Sequence, residues 1–393
     1  MTKIDIVMGA NWGDEGKGLV TNALATKDSL IVFSSNSCQR GHTVVHNGIR
    51  HVFRHFGSGT LKGAATYFTG KFIINPTLFR QELQELWAMN IYPKVYYNPA
   101  CRVVTPYDML ANQVIEMARG DERHGSCGCG VWETVCRDNY LTDIRGYNSF
   151  DVSLRYPEEF CSNTLNNIIQ YYLDERASWS TEMKDFIQGP FTRERVESDI
   201  EFFLKWAQPI PLCGEKRFLH SFNHIIFENS QGLLLDMDYM PDPNHTTPAH
   251  IGSKIPTDII LHNFDKTEVE VNGYYVTRSY FTRHGAGEMG SNGECLKESI
   301  NPLMEDLTNQ PNPWQGNLRY GKISEHDAMM MYCRIKADYN RHLSLLDGSI
   351  NVVITHANEY TSDALLEIFK ANREVNIFNS YNEQTIQPVF FNF

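Results

Sequence analysis

A glycine-rich segment near the start of the chain, residues 13–18 (GDEGKG), could hold the phosphates of a nucleotide. Glycines let backbone N–H groups approach anionic oxygens, and a lysine and a following helix N-terminus add positive charge. The segment departs from the standard P-loop, because Asn11 stands in the place of the first glycine and Gly18 replaces the Ser or Thr that binds Mg²⁺. Asp14, inside the loop, is the natural substitute, either as a Mg²⁺ ligand or as a catalytic base.

A second segment that could do chemistry, residues 39–43 (QRGHT), contains His42. It follows the second apolar run of the chain, so we expect it at the same sheet edge as Asp14. A carboxylate could then remove a proton while an imidazole donates or stabilises one. A lone histidine after a strand is more often structural, but the Gly-His-Thr setting beside a phosphate loop favours a catalytic role.

Apolar runs and amphipathic stretches predict the elements that would position these residues. Strands over 4–8 and 29–34 flank a helix over 19–25, which is typical of a parallel sheet that binds nucleotides at the carboxyl ends of its strands. Further strands are expected over 94–97, 225–228, 274–281 and 351–355, helices over 76–89, 106–119, 196–206 and 362–370, a turn at 229–232, and long loops over 239–256 and 282–317. We therefore expect an α/β fold: a single large domain, residues 1–393, around a mostly parallel central sheet with helices on both faces and long elaborated loops.

Composition narrows the function classes. The 393 residues carry a net charge of −12, which argues against a nucleic-acid backbone as partner. The sequence has no run of 18 apolar residues, and its first residues lack the apolar core of a signal peptide, so we expect no membrane span and a cytoplasmic protein. Nine cysteines without regular spacing indicate reduced thiols. Cys127, Cys129 and Cys136 could suggest a metal site, but small residues in a loop are the better interpretation.

Residues 12–18 (WGDEGKG), together with residues 41–43 (GHT), resemble the adenylosuccinate synthetase family. Three later segments follow the family in the same order. Residues 227–236 (FENSQGLLLD) resemble its E-G-A-Q-G-x-x-L-D, residues 244–247 (NHTT) its N-T-T, and residues 282–287 (TRHGAG) its T-R-V-G-A-G. The resemblance covers residues 1 to about 365 and implies an adenylosuccinate synthetase-like fold, related to P-loop proteins.

The resemblance implies a carbon–nitrogen ligase. In the family, an aspartate takes the N1 proton of a 6-oxopurine nucleotide, and the 6-oxygen attacks the γ-phosphate of a nucleoside triphosphate. The amino group of L-aspartate then displaces the 6-phosphoryl group. On this analogy Asp14 is the base and a Mg²⁺ ligand, the Gly41 carbonyl is a second Mg²⁺ ligand, His42 stabilises the transferring group as a general acid, and Lys17 neutralises phosphates.

The same analogy assigns the binding residues. Gln231 joins Asp14, Lys17 and His42 in the catalytic set. The donor nucleotide would contact Gly13, Asp14, Glu15, Gly16, Lys17, Gly18, Gly41, His42, Thr43, His356 and Asn358. The acceptor, a purine nucleoside monophosphate, would contact Asn11, Ser126, Gln231, Thr246, Thr247 and Arg283. Arg319 would bind the amino acid, expected to be L-aspartate, and the resemblance implies a homodimer.

Two segments depart from the family pattern on the acceptor and amino-acid sides. The family's G-T-T-G-R-G, which binds the acceptor phosphate, reads GSCGCG over residues 125–130. Ser126 can still donate a hydrogen bond, whereas Cys127 is a poor replacement for a hydroxyl. The aspartate-binding loop aligns with residues 311–321, where only Arg319 clearly survives. One guanidinium can still grip a carboxylate, so an amino-acid substrate remains possible.

The family's guanine-reading K-x-D element aligns with residues 356–358 (HAN). Because an amide cannot accept both guanine hydrogens as a carboxylate does, Asn358 favours ATP or dATP over GTP as donor. Such departures resemble phage 2-aminoadenylosuccinate synthetases, which favours dGMP or GMP as acceptor. The commonest phage enzymes carry serine in place of Asp14, so ordinary IMP chemistry with GTP stays open. The competing hypotheses for the function are a non-catalytic nucleotide-binding paralogue and a plain P-loop NTPase.

Several weaker candidates have two interpretations each. Arg137 or Arg145 could reach the acceptor phosphate of a partner subunit or be a solvated surface arginine. His284, which replaces the family's valine, could read the sugar or fill space. Trp314 could stack on a base or pack within its loop. His51 and His55 stand four apart, but their stretch resembles a strand and loop, which disfavours a metal pair.

Overall fold

The structure is a computed structural model that describes residues 1–35, 39–143, 154, 158, 160–175, 185, 190–239, 245–301, 317–372 and 374–389. The strands are β1 Thr2–Gly9, β2 Leu30–Phe33, β3 His42–His46, β4 Ile49–Phe53, β5 Ala65–Phe68, β6 Ile73–Ile74, β7 Val95–Tyr97, β8 Arg102–Val103, β9 Gln208–Pro209, β10 His224–Gly232, β11 Val269–Arg278, β12 Phe281–Arg283, β13 Arg319–Gly321, β14 Ser349–Thr355, β15 Val375–Asn379 and β16 Gln387–Pro388. The helices are α1 Lys17–Leu24, α2 Pro76–Ala88, α3 Pro106–Ala118, α4 Val131–Asp143, α5 Leu165–Glu175, α6 Pro190–Trp206, α7 Glu215–Leu219, α8 Lys254–Asn263, α9 Glu325–Arg341 and α10 Asp363–Lys370.

Ten strands form the central sheet in the order β16-β15-β14-β11-β1-β10-β2-β5-β7-β9. Each neighbouring pair is parallel except β15 and β16 at one edge. The expected mostly parallel sheet is therefore confirmed. Because β1 lies between β10 and β11, the loop that follows β1 emerges at the middle of the sheet's carboxyl edge, where ligands of such folds bind.

The central strands are buried on both faces, which explains why their sequences are continuous apolar runs. Successive side chains of a strand point to opposite faces. Ile6 and Met8 accordingly join one core cluster, with helices α8, α9 and α10, while Val7 joins the other, with helices α2, α3, α5 and α6. The expectation of helices on both faces of the sheet is thus confirmed.

The predicted turn at 229–232 is wrong. These residues extend β10, which stays parallel to β1 through an irregular register up to the pair Gly9 and Gly232. A Cβ atom at Gly232 would lie 2.2 Å from the Asn11 carbonyl oxygen, so the strand can run this close to the loop only with glycine there. This continuation carries Gln231 to the loop after β1.

Across the described part of the chain, no helix combines the length and the apolar character needed to cross a bilayer.

Candidate active site

The loop between β1 and α1 is held in shape from within. Gly13, Asp14 and Gly16 have positive φ angles of 119°, 58° and 95°. The Glu15 carboxylate is buried beneath them and accepts hydrogen bonds from the backbone N–H groups of Asn11 (3.1 Å) and Gly13 (2.8 Å). These contacts stabilise an unusual backbone conformation before any ligand binds, which is typical of a preorganised site.

Lys17 lies at the start of α1 and is 2% exposed. Its Nζ donates to Glu15 Oε2 at 2.6 Å, and its side chain still lines the central cavity. The ion pair fixes the position of the ammonium beneath the loop, where it can neutralise an incoming phosphate.

Asp14 lies at the tip of the loop, with 36% of its side chain exposed to the cavity. The Arg278 guanidinium donates to its backbone oxygen at 2.5 Å and anchors the tip to the end of β11. His284 Nε2 lies 3.3 Å from Asp14 Oδ2. A carboxylate on the cavity wall, with only part of its hydrogen-bonding capacity used, can accept a proton or bind a cation.

His42 is the first residue of β3, packs against the start of α1 and is paired with Glu228 of β10. Its Nδ1 lies 2.5 Å from Glu228 Oε1, and its buried Nε2 has no hydrogen-bond partner among the described residues. Burial lowers the pKa of His42 below the ordinary 6.5, and the attraction of Glu228 only partly offsets this effect. The neutral imidazole therefore carries its proton on Nδ1, toward the carboxylate, and leaves Nε2 without a proton.

Glu228 is fully buried at the centre of a network of donors. Burial by itself would raise the pKa of its carboxyl. The charge of Arg40 and hydrogen bonds from His42 and Ser58 more than offset burial and hold that pKa at about 2. Ser58 donates through both its N–H (3.0 Å) and its hydroxyl, and Arg40 Nη1 lies 3.5 Å away. Glu228 is thus a fixed negative charge behind His42.

The close approach of α1 and β3 explains why Gly18 follows the lysine. A Cβ atom at Gly18 would lie 2.9 Å from the His42 Cβ, inside any ordinary contact distance. A Ser or Thr, as in the standard P-loop, would displace His42. The position that normally supplies a hydroxyl for Mg²⁺ is instead used to bring an imidazole beside the phosphate loop.

The residues that the sequence singles out line one cavity of about 1,550 Å³. They comprise Gly13, Asp14, Glu15, Gly16, Lys17, Gly18, Gly41, His42, Thr43, Ser126, Gln231, Thr246, Thr247, Arg283, His356 and Asn358. The volume exceeds what one small ligand needs and can hold two nucleotides side by side. The structure thus brings both expected binding groups to a single site.

The wall on the expected acceptor side is formed by Gln231, Arg283 and the threonine pair. Gln231 Nε2 donates to the Gln39 carbonyl oxygen at 2.6 Å, and its Oε1 lies beside Gly13. Arg283 donates to the Glu288 carbonyl oxygen (2.7 Å), and its guanidinium stacks on Trp12, with the carbon 5.2 Å from the ring centre. These contacts fix both side chains against the phosphate loop.

Hydrogen bonds hold the loop that contains Ser126 against helix α3. Glu116 Oε1 accepts from the N–H groups of Gly125 (2.6 Å) and Ser126 (3.1 Å), and Asn112 Oδ1 accepts from the Ser126 hydroxyl (2.8 Å). Two backbone amides that could face a phosphate are therefore already bound to a carboxylate. Arg119, which pairs with Glu116 at 2.6 Å, brings positive charge to the same wall.

The opposite wall follows β14, where His356 and Asn358 lie. His356 has a φ of 56°, and its Nδ1 lies 3.0 Å from Glu359 Oε2. Tyr280 donates to the same Glu359 oxygen at 2.5 Å. Burial opposes ionisation of Glu359, but these partners keep its pKa below the ordinary value. Glu359 is thus held by two neighbours, and Asn358 is left to face the cavity.

Two expected ligand contacts do not face the cavity. Arg319 donates to the carbonyl oxygens of Gly285 (2.6 Å) and Gly287 (3.0 Å), and it is not among the residues that line the cavity. The side chain of Asn11 is 2% exposed and donates to Thr277 Oγ1 at 2.9 Å. Both side chains support the neighbouring loops, because backbone carbonyls and strand hydroxyls satisfy them first.

The surface interpretation of Arg137 is wrong, and so is the suggestion that Arg137 reaches a partner subunit. Its side chain is 0% exposed and paired with Asp108 (2.8 Å) and Asp138 (2.5 Å) inside the helical layer. Arg145, Trp314 and Asn244 lie outside the described residues.

Sequence reasoning missed the two residues that hold His42 and Asp14, which are Glu228 and Arg278. The signal for Glu228 was present, since a charge directly after the apolar run 225–227 must be paired if the strand is buried. Arg278 had a similar signal at the end of β11. Neither position could be linked to His42 or Asp14 before the strand order was known.

The residues at the loop tip also fit Mg²⁺. This ion prefers hard oxygen ligands and keeps several waters, so it needs few protein groups. The partly exposed Asp14 carboxylate and the cavity-lining Gly41 would provide such oxygens beside Lys17.

Comparison with known proteins gives a family and a fold. The sequence profile of the adenylosuccinate synthetase family matches residues 6–309. Adenylosuccinate synthetases of Actinobacillus succinogenes and Saccharophagus degradans are 25% and 27% identical over 73% and 75% of this chain. The matched region spans 64% and 66% of those two proteins.

Two solved structures share the fold. The fully ligated adenylosuccinate synthetase of Plasmodium falciparum superposes with a TM-score of 0.70 at 14% identity, covering 98% of this chain and 99% of that one. The cyanophage S-2L succinoaminodeoxyadenylate synthetase, bound to dGMP and dATP, superposes with a TM-score of 0.63 at 15% identity, covering 98% and 94%.

Proposed function

The chain belongs to the adenylosuccinate synthetase family, and from this premise we propose that it is a purine nucleotide ligase. It joins L-aspartate to C6 of a 6-oxopurine 5′-monophosphate through a 6-phosphoryl intermediate, with hydrolysis of a nucleoside triphosphate. The observation that carries the proposal is that Asp14, in the preorganised phosphate loop, and His42, packed against the start of the helix that follows it, line one cavity.

Asp14 acts as the base. Its carboxylate faces the cavity at the loop tip, while Arg278 and Glu15 hold the backbone around it. Taking the N1 proton makes the 6-oxygen of the purine a nucleophile, because the negative charge is then shared with that oxygen. Gln231, beside Gly13, is placed to hold the acceptor at this point.

His42 acts on the transferring phosphoryl group. The pKa of His42 is lowered in the absence of a nucleotide, and the negative charge of a bound triphosphate would raise it again. The imidazole then gains a proton on Nε2 and donates it as a hydrogen bond to the phosphoryl oxygens. Glu228 stays ionised throughout, so it both orients the ring and stabilises the imidazolium.

Lys17 and the backbone amides of the loop neutralise the charge of the donor phosphates. Mg²⁺, when bound, would offset the charge of the donor phosphates, with Asp14 and Gly41 as its protein ligands. Phosphoryl transfer depends mainly on such positioning and electrostatic stabilisation. The buried ion pair of Lys17 with Glu15 fixes the ammonium in advance.

Substrate choice is the finer part of the proposal. Asn358 on the expected base-reading wall favours ATP or dATP over GTP. We propose dGMP or GMP as acceptor, which the fold likeness to a phage enzyme bound to dGMP and dATP supports. The alternative is ordinary adenylosuccinate formation from IMP with GTP. A homodimer in the cytoplasm is the proposed state, without nucleic-acid or membrane partners.

An acceptor panel tests the function. The protein is incubated with Mg²⁺, L-aspartate, either ATP or GTP, and IMP, GMP or dGMP in turn, and products are identified by mass. A succinyl adduct from dGMP or GMP with ATP supports the proposal, and one from IMP with GTP supports the alternative. Phosphate release without any acceptor would instead indicate a plain NTPase.

A further inference from the structure

The loop of residues 124–130 places two thiols side by side on the cavity wall. Cys127 and Cys129 are both half-buried and both line the cavity. The Cys127 thiol is in hydrogen-bond contact with the Cys129 thiol, and Cys129 Sγ lies 3.9 Å from the Cys127 carbonyl oxygen. Gly128 between them has a φ of 72°, a conformation that turns the chain back on itself.

Helix α3 holds this turn in place. Gln113 Nε2 donates to the Gly128 carbonyl oxygen at 3.1 Å, and Asn112 Oδ1 accepts from the Gly130 N–H at 3.3 Å. The glycine that follows the pair is packed on the same helix, since a Cβ atom at Gly130 would lie 2.6 Å from the Asp108 carbonyl carbon. The two sulfur atoms are therefore presented on a fixed support.

We propose that Cys127 and Cys129 are a redox modification site, a dithiol that a low-molecular-weight disulfide converts reversibly into an intraloop disulfide. Consecutive Cα atoms lie about 3.8 Å apart, and the chain bends at the glycine between the two cysteines. The Cα atoms of Cys127 and Cys129 therefore stay within the roughly 4.4–6.8 Å that a disulfide spans. The cavity gives a small disulfide access to both sulfur atoms.

The chemistry proceeds by two exchanges. The Cys129 thiolate attacks one sulfur of the small disulfide, whose S–S bond breaks and releases one small thiolate. The Cys127 thiol then loses its proton to solvent and attacks the Cys129 sulfur, which releases the second small thiolate. Two protein thiols and one small disulfide thus give one protein disulfide and two small thiols. Burial raises the pKa of Cys127 and so slows its own attack on a small disulfide, and exchanging the roles of the two cysteines gives the same products.

The site is linked to the proposed acceptor wall. The Cys127 thiol contacts the Gln39 side chain as well as Cys129. The backbone carbonyl oxygen of Gln39 accepts the hydrogen bond from Gln231. Forming the disulfide redirects the Cys127 sulfur from Gln39 to Cys129. We therefore expect the oxidised protein to have a higher KM for the acceptor, a consequence that rests on the proposed function, whereas disulfide formation itself does not.

Mass spectrometry of the full chain tests the modification without any activity assay. The native protein is incubated with glutathione disulfide, quenched in acid, and measured intact and after trypsin. For Cys127 and Cys129 we expect a loss of two hydrogen atoms, the loss of both titratable thiols, and full reversal by dithiothreitol. The tryptic fragment 124–137 also holds Cys136, so Cys136→Ser is the matched control and should oxidise like the wild type.

The single variants Cys127→Ser and Cys129→Ser should lose no hydrogen atoms, and the remaining cysteine should keep a glutathione adduct. A disulfide to Cys136, or a lasting glutathione adduct on Cys127 or Cys129 of the wild type, would overturn the proposal. So would a native protein that does not react while the urea-unfolded chain does.

If the oxidised protein keeps its acceptor KM, the link to the acceptor wall is wrong. If no acceptor is turned over at all, the proposed function fails while the mass result stands.

Discussion

Among the described residues, two buried glutamates pair with histidines, and only one of these two centres opens on the cavity. Glu228 holds His42, and Glu82 lies 3.6 Å from His51 Nε2 and 3.8 Å from His55 Nδ1. Both carboxyl groups have a pKa of about 2, although burial alone would raise it. The chemistry of the two centres is the same, so composition alone cannot tell them apart.

The difference lies in the second nitrogen of the ring. His55 Nε2 accepts a hydrogen bond from the Asn75 N–H at 3.2 Å, and the ring is enclosed by phenylalanines. His42 Nε2 has no such partner among the described residues, and the ring lines the cavity. A histidine enclosed by the core stabilises the fold, whereas one whose ring lines a cavity with an unpaired nitrogen is available for a ligand.

The largest effect is expected at Asp14, which lines the same cavity as His42. Asp14→Asn keeps the shape of the side chain but removes the base, and general-base catalysis contributes roughly 10²–10⁴-fold. We expect turnover in the acceptor assay to fall by about 10³-fold, with the loop intact. Because Asp14 already adopts a positive φ, which asparagine also tolerates, the thermal midpoint should change little. Turnover within about threefold of the wild type would rule out the assigned role.

The comparison itself is tested by matched substitutions, Glu228→Gln and Glu82→Gln. Glu228→Gln removes the charge behind His42, so we expect kcat to fall by about 10²-fold. Glu82→Gln should leave kcat unchanged and lower the free energy of unfolding by about 1.5–3 kcal/mol, because it weakens buried hydrogen bonds to a charged group. Steady-state kinetics and urea unfolding measure the two effects. Equal losses of kcat in both variants would erase the distinction between the centres.

A smaller effect is expected on the choice of donor. Asn358→Asp would restore a carboxylate that can accept two guanine hydrogens, which should raise the GTP-to-ATP ratio of kcat/KM by roughly tenfold. The control is Asn382→Asp, the same change at another cavity-lining residue whose Oδ1 accepts from its own turn. An unchanged ratio in Asn358→Asp would place the base-reading group elsewhere, with Glu359 as the nearest carboxylate.

The smallest effect is expected on the pH dependence of stability, through His55 beside Glu82. Burial lowers the pKa of His55 below the ordinary 6.5, so the unfolded chain binds a proton that the folded one does not. Stability is therefore complete above pH 6.5 and declines as the pH falls below it. His55→Gln removes this titration, and urea midpoints between pH 7.5 and 5 should decline less steeply than in the wild type. An identical slope in both proteins would contradict the assignment.

The sequence predicted the structure around the phosphate loop better than the positions of the residues expected to bind substrates. The strand–loop–helix at residues 4–25 follows from local signals, and so do Asp14 and His42. Glu228 and Arg278 depend on which strands neighbour β1, an order set by the packing of the whole sheet. Arg319 failed to reach the cavity because two backbone carbonyls bind its guanidinium, a contact between loops far apart in sequence.

The central claim is that the 6-oxygen of the acceptor attacks the γ-phosphate with Asp14 as base. The most direct measurement uses an acceptor labelled with oxygen-18 at C6 and follows the label by mass spectrometry of the released phosphate. Our account predicts one labelled oxygen in each phosphate released with product, and about 10³-fold slower release of labelled phosphate from Asp14→Asn. Unlabelled phosphate, with its new oxygen drawn from water, would contradict it.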